Sequence, residues 1–142
     1  MLKTPLKAIL LVLLTLATVS SAVPVCAASM PANVVQAGTP DFSVSVSPAT
    51  ESRKRGTGAV YDITITSLNG FSGTIQETIT GAPPATTGDG TASFNLAAGQ
   101  TLFLSHIFQT HKVTTPIGTF TLTFTYTSGN ITHTVQTILK TL

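Results

Sequence analysis

The sequence predicts an all-β fold of about seven short antiparallel strands, arranged as a sandwich or barrel and preceded by a signal peptide. Three observations support this prediction. Apolar and polar residues alternate with a period of two in several runs, turn-forming residues separate these runs at regular intervals, and no helical period follows the N-terminal apolar segment. Only 8% of the residues are charged, so outward threonines must supply much of the polar surface.

The N-terminal segment has the layout of a secretory signal peptide. Two lysines precede an apolar stretch at residues 8–19, and small residues follow it. Cleavage after Ala27 and cleavage after Ala22 both satisfy the small-residue rule, so both positions stay open. We assign residues 1–27 to the signal peptide. This assignment predicts a secreted or extracytoplasmic protein, located in the periplasm or at the cell surface.

Two alternatives concern the same segment. An uncleaved membrane anchor needs about 20 apolar residues, and Ser20, Ser21 and Pro24 interrupt the run before it reaches that length. A lipid anchor at Cys26 needs a small residue immediately before the cysteine, where Val25 stands instead. We therefore expect no membrane span in the mature chain and keep lipid anchoring at Cys26 as the lesser alternative. A single cysteine also excludes a disulfide within the chain.

The remainder divides into a lead-in and one domain. Residues 28–40 contain two prolines and a glycine without a sustained period, which predicts a flexible lead-in. Residues 41–142 form the predicted domain. Its first strand is marked by Phe42, Val44 and Val46, which alternate with serines.

The same alternation marks the other strands. The strand over residues 101–109 is unusual because both of its faces carry large apolar side chains. Leu102, Leu104 and Phe108 lie on one face, and Phe103 and Ile107 lie on the other. The remaining predicted strands cover residues 59–66, 74–80, 92–96, 119–127 and 131–139.

Formal charge in the predicted mature chain sums to zero. A nucleic-acid partner would require a basic face, so a neutral chain gives no indication of one. The five cationic side chains are Arg53, Lys54, Arg55, Lys112 and Lys140, and the five acidic ones are Asp41, Glu51, Asp62, Glu77 and Asp89.

No residue pattern indicates catalysis, a cofactor or a metal. His106, His111 and His133 are the only histidines, and no cysteine or carboxylate cluster completes a zinc set. The serine within residues 69–73 is better explained by a turn than by a nucleophile elbow. Asp89 alone falls short of the six to eight oxygens that calcium requires. We expect a non-enzymatic protein with no catalytic, cofactor-binding or metal-binding residues.

Two charged features need a structural explanation. Arg53, Lys54 and Arg55 form the only charge cluster, and we expect a solvated loop between the first two strands that also keeps a sheet edge from pairing. Its functional alternatives are an acidic partner, anionic lipid headgroups or a proteolytic nick. Glu77 falls where the alternation predicts an inward apolar side chain. Because a buried unpaired carboxylate is costly, we expect Glu77 near the rim, close to a histidine or to Arg or Lys.

Four segments occur in a familiar order along the domain: Asp41-Phe-Ser-Val-Ser-Val-Ser-Pro48, Leu68-Asn-Gly-Phe-Ser-Gly-Thr-Ile75, Pro116-Ile-Gly-Thr-Phe-Thr-Leu-Thr123 and Thr127-Ser-Gly-Asn-Ile-Thr-His-Thr134. Together they resemble the immunoglobulin-like repeats of large secreted bacterial proteins. The resemblance implies an immunoglobulin-like β-sandwich of about seven antiparallel strands, used as a spacer or adhesive module without catalytic residues. This chain departs from the family in holding one copy and in a longer, more polar loop around residues 86–90.

These observations predict an exported, non-enzymatic immunoglobulin-like module that mediates protein contacts or acts as a structural spacer at the cell surface. Its partner would be a protein or surface component, bound by strand addition along a sheet edge. The alternative is a carbohydrate-binding or adhesion module. Such modules use exposed aromatic rings, whereas this chain has no Trp and its alternation points Tyr61 and Tyr126 inward. A small secreted enzyme is the third and least supported hypothesis.

Overall fold

The computed structural model describes residues 38–142, so the predicted signal peptide, Cys26 and most of the lead-in lie outside the described residues. Nine strands and no helix are found in the described part. These residues accordingly include no helix that could cross a membrane. The strands are β1 (Asp41–Ser47), β2 (Thr50–Arg53), β3 (Gly58–Leu68), β4 (Gly73–Thr80), β5 (Thr86–Thr87), β6 (Gly90–Leu96), β7 (Thr101–Thr110), β8 (Gly118–Ser128) and β9 (Ile131–Thr141).

The strands form two sheets that face each other across one core. The first sheet has the order β1-β3-β7-β5, and the second has the order β2-β9-β8-β4-β6. The first sheet follows the A-B-E-D order of immunoglobulin domains, and β4, β8 and β9 follow the C-F-G order of their other sheet. The prediction of an all-β sandwich is confirmed.

The predicted strand count was too low, and the prediction of purely antiparallel pairing was wrong. The seven expected strands are present, but β2 and β5 were missed. β2 pairs in parallel with β9, from Thr50 opposite Ile138 to Arg53 opposite Thr141. Its Thr-Glu-Ser-Arg sequence has no apolar alternation, because β2 lies at a sheet edge and buries little. β5 is two residues long and pairs only with the end of β7.

Most of the core consists of inward residues that the alternation predicted. Phe71, in the turn after β3, was not predicted, and some residues predicted to point inward are only partly buried, namely Val44, Val46, Leu102, Leu104 and Phe120. Burying each large apolar side chain contributes about 1.5–3 kcal/mol. The buried Tyr61 hydroxyl donates to the Ile138 carbonyl across the two sheets at 3.1 Å, and burial raises the pKa of Tyr61 to about 12. The buried apolar residues are Phe42, Ala59, Tyr61, Ile63, Ile65, Phe71, Ile75, Ile79, Leu96, Phe108, Leu122, Phe124, Tyr126 and Leu139.

The chain changes sheets between β1 and β2. Pro48 has no N–H to donate, and the β1–β3 ladder ends one residue before it. The Thr137 hydroxyl then donates to the Pro48 carbonyl at 2.7 Å, and the Ile138 N–H donates to the Ala49 carbonyl at 3.1 Å. These contacts fix the crossing segment against β9 at one flank of the sandwich.

Candidate interaction surface

One edge of the first sheet is open along most of β7. On one side β7 pairs with β3 over most of its length. On the other side β5 pairs with it only at Gln109 and Thr110. The loop after β5 passes close to β7. A methyl group added at Gly88 would lie 3.0 Å from the carbonyl oxygen of Ile107. Residues 101–106 therefore have no strand neighbour on this side within the described chain, and we call them the open edge.

The alternation of hydrogen bonds between β7 and β3 shows which backbone groups of β7 face the open edge. The Thr110 N–H donates to the Thr57 carbonyl at 3.2 Å, and the Ser67 N–H donates to the Gln100 carbonyl at 2.9 Å. Pairing in an antiparallel ladder alternates along the strand, so even-numbered β7 residues bond to β3. The N–H and C=O groups of Phe103 and Ser105 consequently point outward, as an incoming strand requires.

The outer face beside the open edge carries exposed apolar side chains. Phe103 is 79% exposed, and Ile107 and Val60, which are paired across β7 and β3, are exposed beside it. The prediction that Phe103 and Ile107 share the face opposite to Phe108 is confirmed. Between them the Ser105 hydroxyl donates to Asp62 Oδ1 at 2.6 Å, which places a carboxylate at the centre of this face.

The open edge lacks the charges that usually protect sheet edges. Natural edge strands carry Lys, other charges or Pro that discourage pairing with another chain. β7 has the sequence Thr-Leu-Phe-Leu-Ser-His-Ile-Phe-Gln-Thr, without a Lys, Arg, Asp, Glu or Pro. β2, at the edge of the second sheet, carries the ion pair of Glu51 and Arg53. Arg53 was expected in a loop, but it ends this strand, and Lys54 and Arg55 follow it.

Glu77 is buried between the sheets, so the expectation that it lies at the rim was wrong. Its side chain is 2% exposed. The Tyr126 hydroxyl donates to Glu77 Oε1 at 2.6 Å, and His106 Nε2 lies 2.9 Å from the same oxygen. His106 Nε2 is itself buried and has no well-formed hydrogen bond among the described residues, so this contact is a close approach of the ring to the carboxylate. The expected histidine neighbour is therefore present.

The pKa values in this cluster follow from burial and from these contacts. Burial raises the pKa of Glu77, but the contacts with His106 and Tyr126 outweigh it and hold that pKa below its usual value. Burial, followed by the contact with Glu77, raises the pKa of Tyr126. Glu77 thus remains an acceptor in the core. Since His106 lies on β7 and the other two lie on β4 and β8, the cluster fixes the open-edge strand to the opposite sheet.

The alternation could have indicated this cluster. Glu77 shares its face with Ile79, Tyr126 shares its face with Phe124, and His106 shares its face with Phe108. All three side chains therefore point inward. Alternation alone does not indicate which inward residue of one sheet meets which residue of the other.

The other candidate residues lie apart. His133 Nε2 is 2.8 Å from Asp41 Oδ1 at the rim, and His111 lies in the turn between β7 and β8. Asp89 is exposed in the loop before β6. Over residues 38–142 no three His, Cys, Asp or Glu side chains converge as metal ligands.

A shallow depression of about 280 Å³ lies at the start of β4 and the end of β6. It contains Ser72, the serine of the elbow-like segment, which lies in the turn that joins β3 to β4. No histidine or carboxylate is among the residues that line it, so this serine has no base beside it there. The lining residues are Ser72, Gly73, Thr74, Asn95, Leu96, Ala97 and Gln100.

Comparison with known proteins supports the fold. The chain is similar to a chain in the complex of zinc 2-glycoprotein and prolactin inducible protein from human seminal plasma, with a TM-score of 0.56, 9% identity, and coverage of 72% of this chain and 94% of that chain. It is also similar to part of a family 123 glycoside hydrolase from Clostridium perfringens, with a TM-score of 0.51, 7% identity and coverage of 72% of this chain. It spans 27% of that hydrolase. No family model and no curated protein sequence matches the chain.

At such low identities these similarities show the fold alone. They agree with the strand order in defining an all-β sandwich of the immunoglobulin-like type. Among the described residues, the candidate interaction surface is the open edge of β7 with the exposed apolar side chains beside it.

Proposed function

We propose that this chain is an exported, non-enzymatic immunoglobulin-like module that mediates protein contacts at the cell surface. The observation that carries the proposal is the open edge of β7, where Phe103 and Ser105 direct backbone groups outward next to an exposed aromatic ring. Main-chain hydrogen bonds to an added strand supply affinity, and side chains on alternate positions supply specificity. The signal-peptide pattern of residues 1–27 supports the export step.

The proposed occupant is an extended segment of a partner protein. It adds to the first sheet as a strand beside residues 101–106 and places an apolar side chain opposite Phe103. A basic residue on the outer face of the partner strand complements Asp62. This carboxylate lies at the centre of the outer face that the added strand would extend. The strand ends at the loop beside Ile107, because that loop already occupies the continuation of the edge.

Site-specific photo-crosslinking in the exporting host tests this proposal. A photoreactive residue replaces Phe103 in one variant and Ser45, on the outer face of β1, in a matched control. We expect a discrete crosslinked protein from position 103 that position 45 does not give. Adding Ser105→Pro, which removes an outward N–H, should abolish that product.

Equal labelling from positions 103 and 45, or no crosslink from either, contradicts the proposal. The absence of any crosslink favours a structural spacer.

A titration with oligosaccharides addresses the carbohydrate-binding alternative. Binding that Phe103→Ala abolishes would support that alternative and overturn a protein partner. Phe103→Lys should change the free energy of unfolding by no more than about 0.5 kcal/mol, because this ring is mostly exposed.

A further inference from the structure

One end of the sandwich gathers the cationic side chains of the described residues. The Arg55 N–H donates to the Leu142 carbonyl at 3.1 Å, and the Leu142 N–H donates to the Arg53 carbonyl at 2.9 Å. An added methyl group on Gly56 would lie 3.1 Å from Lys112 Cβ. We call residues 53–57, 111–118 and 140–142 the basic end. The cationic side chains there are Arg53, Lys54, Arg55, Lys112 and Lys140.

The formal neutrality of the domain therefore conceals an uneven charge distribution. Next to the five cationic side chains, Glu51 is paired with Arg53, which leaves a formal side-chain charge of +4 at this end. Asp41 begins β1, Asp62 lies on the outer face and Glu77 is in the core, all outside the basic end. Asp89 follows β5, which pairs with the end of β7 next to the basic end. The charge balance of the sequence could not reveal this separation.

Apolar side chains project from the same end. Val113 is 75% exposed and Ile117 is 64% exposed, both in the turn between β7 and β8. Exposed apolar residues grouped within a polar surface mark interaction sites. Here they stand among Lys112 and the cations of the neighbouring turn.

Hydrogen bonds within the turn and to neighbouring segments fix its conformation. The His111 N–H donates to Thr115 Oγ1 at 2.7 Å, and the Thr115 hydroxyl donates to the Ala85 carbonyl at 3.0 Å. The N–H groups of Val113 and Thr114 both donate to His111 Nδ1 at 3.3 Å. The turn is therefore held by bonds within it and by bonds to Ala85 and Arg55. This conformation leaves the Val113 side chain exposed.

We propose that the basic end docks on the surface of an anionic phospholipid bilayer. Lys54, Arg55 and Lys112 would meet the headgroups, while Val113 and Ile117 enter the boundary between headgroups and acyl chains. A purely electrostatic partner such as an acidic protein uses the cations alone and leaves the apolar pair in water. The combination of charge and apolar side chains favours the bilayer. This surface is separate from the open edge of β7.

Vesicle sedimentation with the full chain tests the charge requirement. The vesicles are phosphatidylcholine alone or phosphatidylcholine with about a third phosphatidylglycerol. Every variant carries the same N-terminal residues, so their contribution is common to all. Each cation lost should weaken binding about fivefold, so Lys54→Gln with Lys112→Gln should weaken binding to anionic vesicles about 25-fold. The matched variant with Lys54→Arg and Lys112→Arg should bind as the unchanged chain does.

A tryptophan reporter tests the apolar contact. The chain contains no Trp, so Val113→Trp supplies a single indole at the basic end, and Phe103→Trp supplies one at the open edge. Anionic vesicles should shift the emission of the Val113→Trp variant to the blue and leave the emission of the Phe103→Trp variant unchanged.

An unshifted emission from the Val113→Trp variant overturns the proposal. The proposal is also overturned if the variant with Val113→Ser and Ile117→Ser binds vesicles as the unchanged chain does, while the variant with Lys54→Gln and Lys112→Gln loses binding. That result would assign the basic end to an acidic macromolecule instead. The pair Phe103→Ser and Ile107→Ser should not alter vesicle binding, which keeps this test distinct from that of the open edge.

Discussion

On the flank where the chain crosses from β1 to β2, polar contacts and charges occupy the edge of the sandwich, whereas on the flank of β7 the edge is open and apolar. Both flanks contain a histidine–carboxylate contact that bridges the sheets. Asp41 and His133 are 2.8 Å apart on the first flank, and Glu77 and His106 are 2.9 Å apart on the second. The distances are nearly equal, but the surroundings differ.

Burial separates the two contacts. The Asp41 side chain is 40% exposed, and its hydrogen bonds with His133 and with the Phe42 N–H hold its pKa below the usual value. Exposed ion pairs contribute little, because water and salt screen them. Glu77 is withdrawn from water, so losing one of its two partners leaves a buried carboxylate with too little compensation. We conclude that the β7 flank depends on its polar cluster and that the crossing flank does not depend on its pair.

Removing His106 should have the largest effect on stability. His106→Ala leaves Glu77 with Tyr126 as its remaining partner, and we expect a loss of about 3–5 kcal/mol in the free energy of unfolding. His133→Ala on the other flank should shift the denaturant midpoint far less. The double variant with Glu77→Leu and His106→Leu should recover most of the loss, because it removes the charge together with its partner. Equal losses for the two histidine variants would contradict the comparison.

Removing the Tyr126 hydroxyl should have a smaller effect. Tyr126→Phe keeps the ring in the core but deletes a 2.6 Å hydrogen bond to a buried carboxylate, and we expect a loss of about 1–3 kcal/mol in urea unfolding. Tyr61→Phe is the matched control, because its hydroxyl donates to a neutral carbonyl. A larger loss for Tyr61→Phe would indicate that the charge of Glu77 is not what makes the Tyr126 contact strong.

Acid should reduce the difference between the flanks. The pKa of Glu77 lies below its usual value of 4.5, so the stability Glu77 contributes is fully present above that pH and is lost as pH falls through its lowered folded-state pKa. We expect urea midpoints to fall on acidification below about pH 4.5 in the unchanged chain more than in the variant with Glu77→Leu and His106→Leu. Asp41 shifts in the same direction from 3.8, but Asp41→Asn should alter the profile little at high salt. Parallel profiles for the unchanged chain and the Leu variant would contradict a role for Glu77.

The sequence could predict the features that depend on local alternation. Phe42, Tyr61 and Leu122 were placed in the core because alternate side chains of a strand point to opposite faces. β2 could not be predicted, because a short edge strand of Thr, Glu, Ser and Arg buries too little to impose alternation.

Contacts between distant segments could not be predicted in the same way. Glu77 and His106 meet because β4 and β7 face each other across the core, and no local pattern encodes that pairing. The basic end likewise depends on the turn at Gly56 packing against Lys112, although these residues are far apart in sequence. The sequence predicted that Phe103 lies on the face opposite to Phe108. Because both faces of β7 carry large apolar side chains, it could not predict which face is exposed, nor the absence of a strand beside Phe103 in the described chain.

Hydrogen exchange at individual β7 amides tests the open edge most directly. The N–H groups of Leu104 and His106 point to β3, and those of Phe103 and Ser105 point away from it. In the free chain we predict that Phe103 and Ser105 exchange about 100-fold or more faster than Leu104 and His106, since only the latter pair needs a structural opening to exchange. Equal, strong protection of all four amides would show that this edge is already covered, and would contradict the proposal that it receives a partner strand.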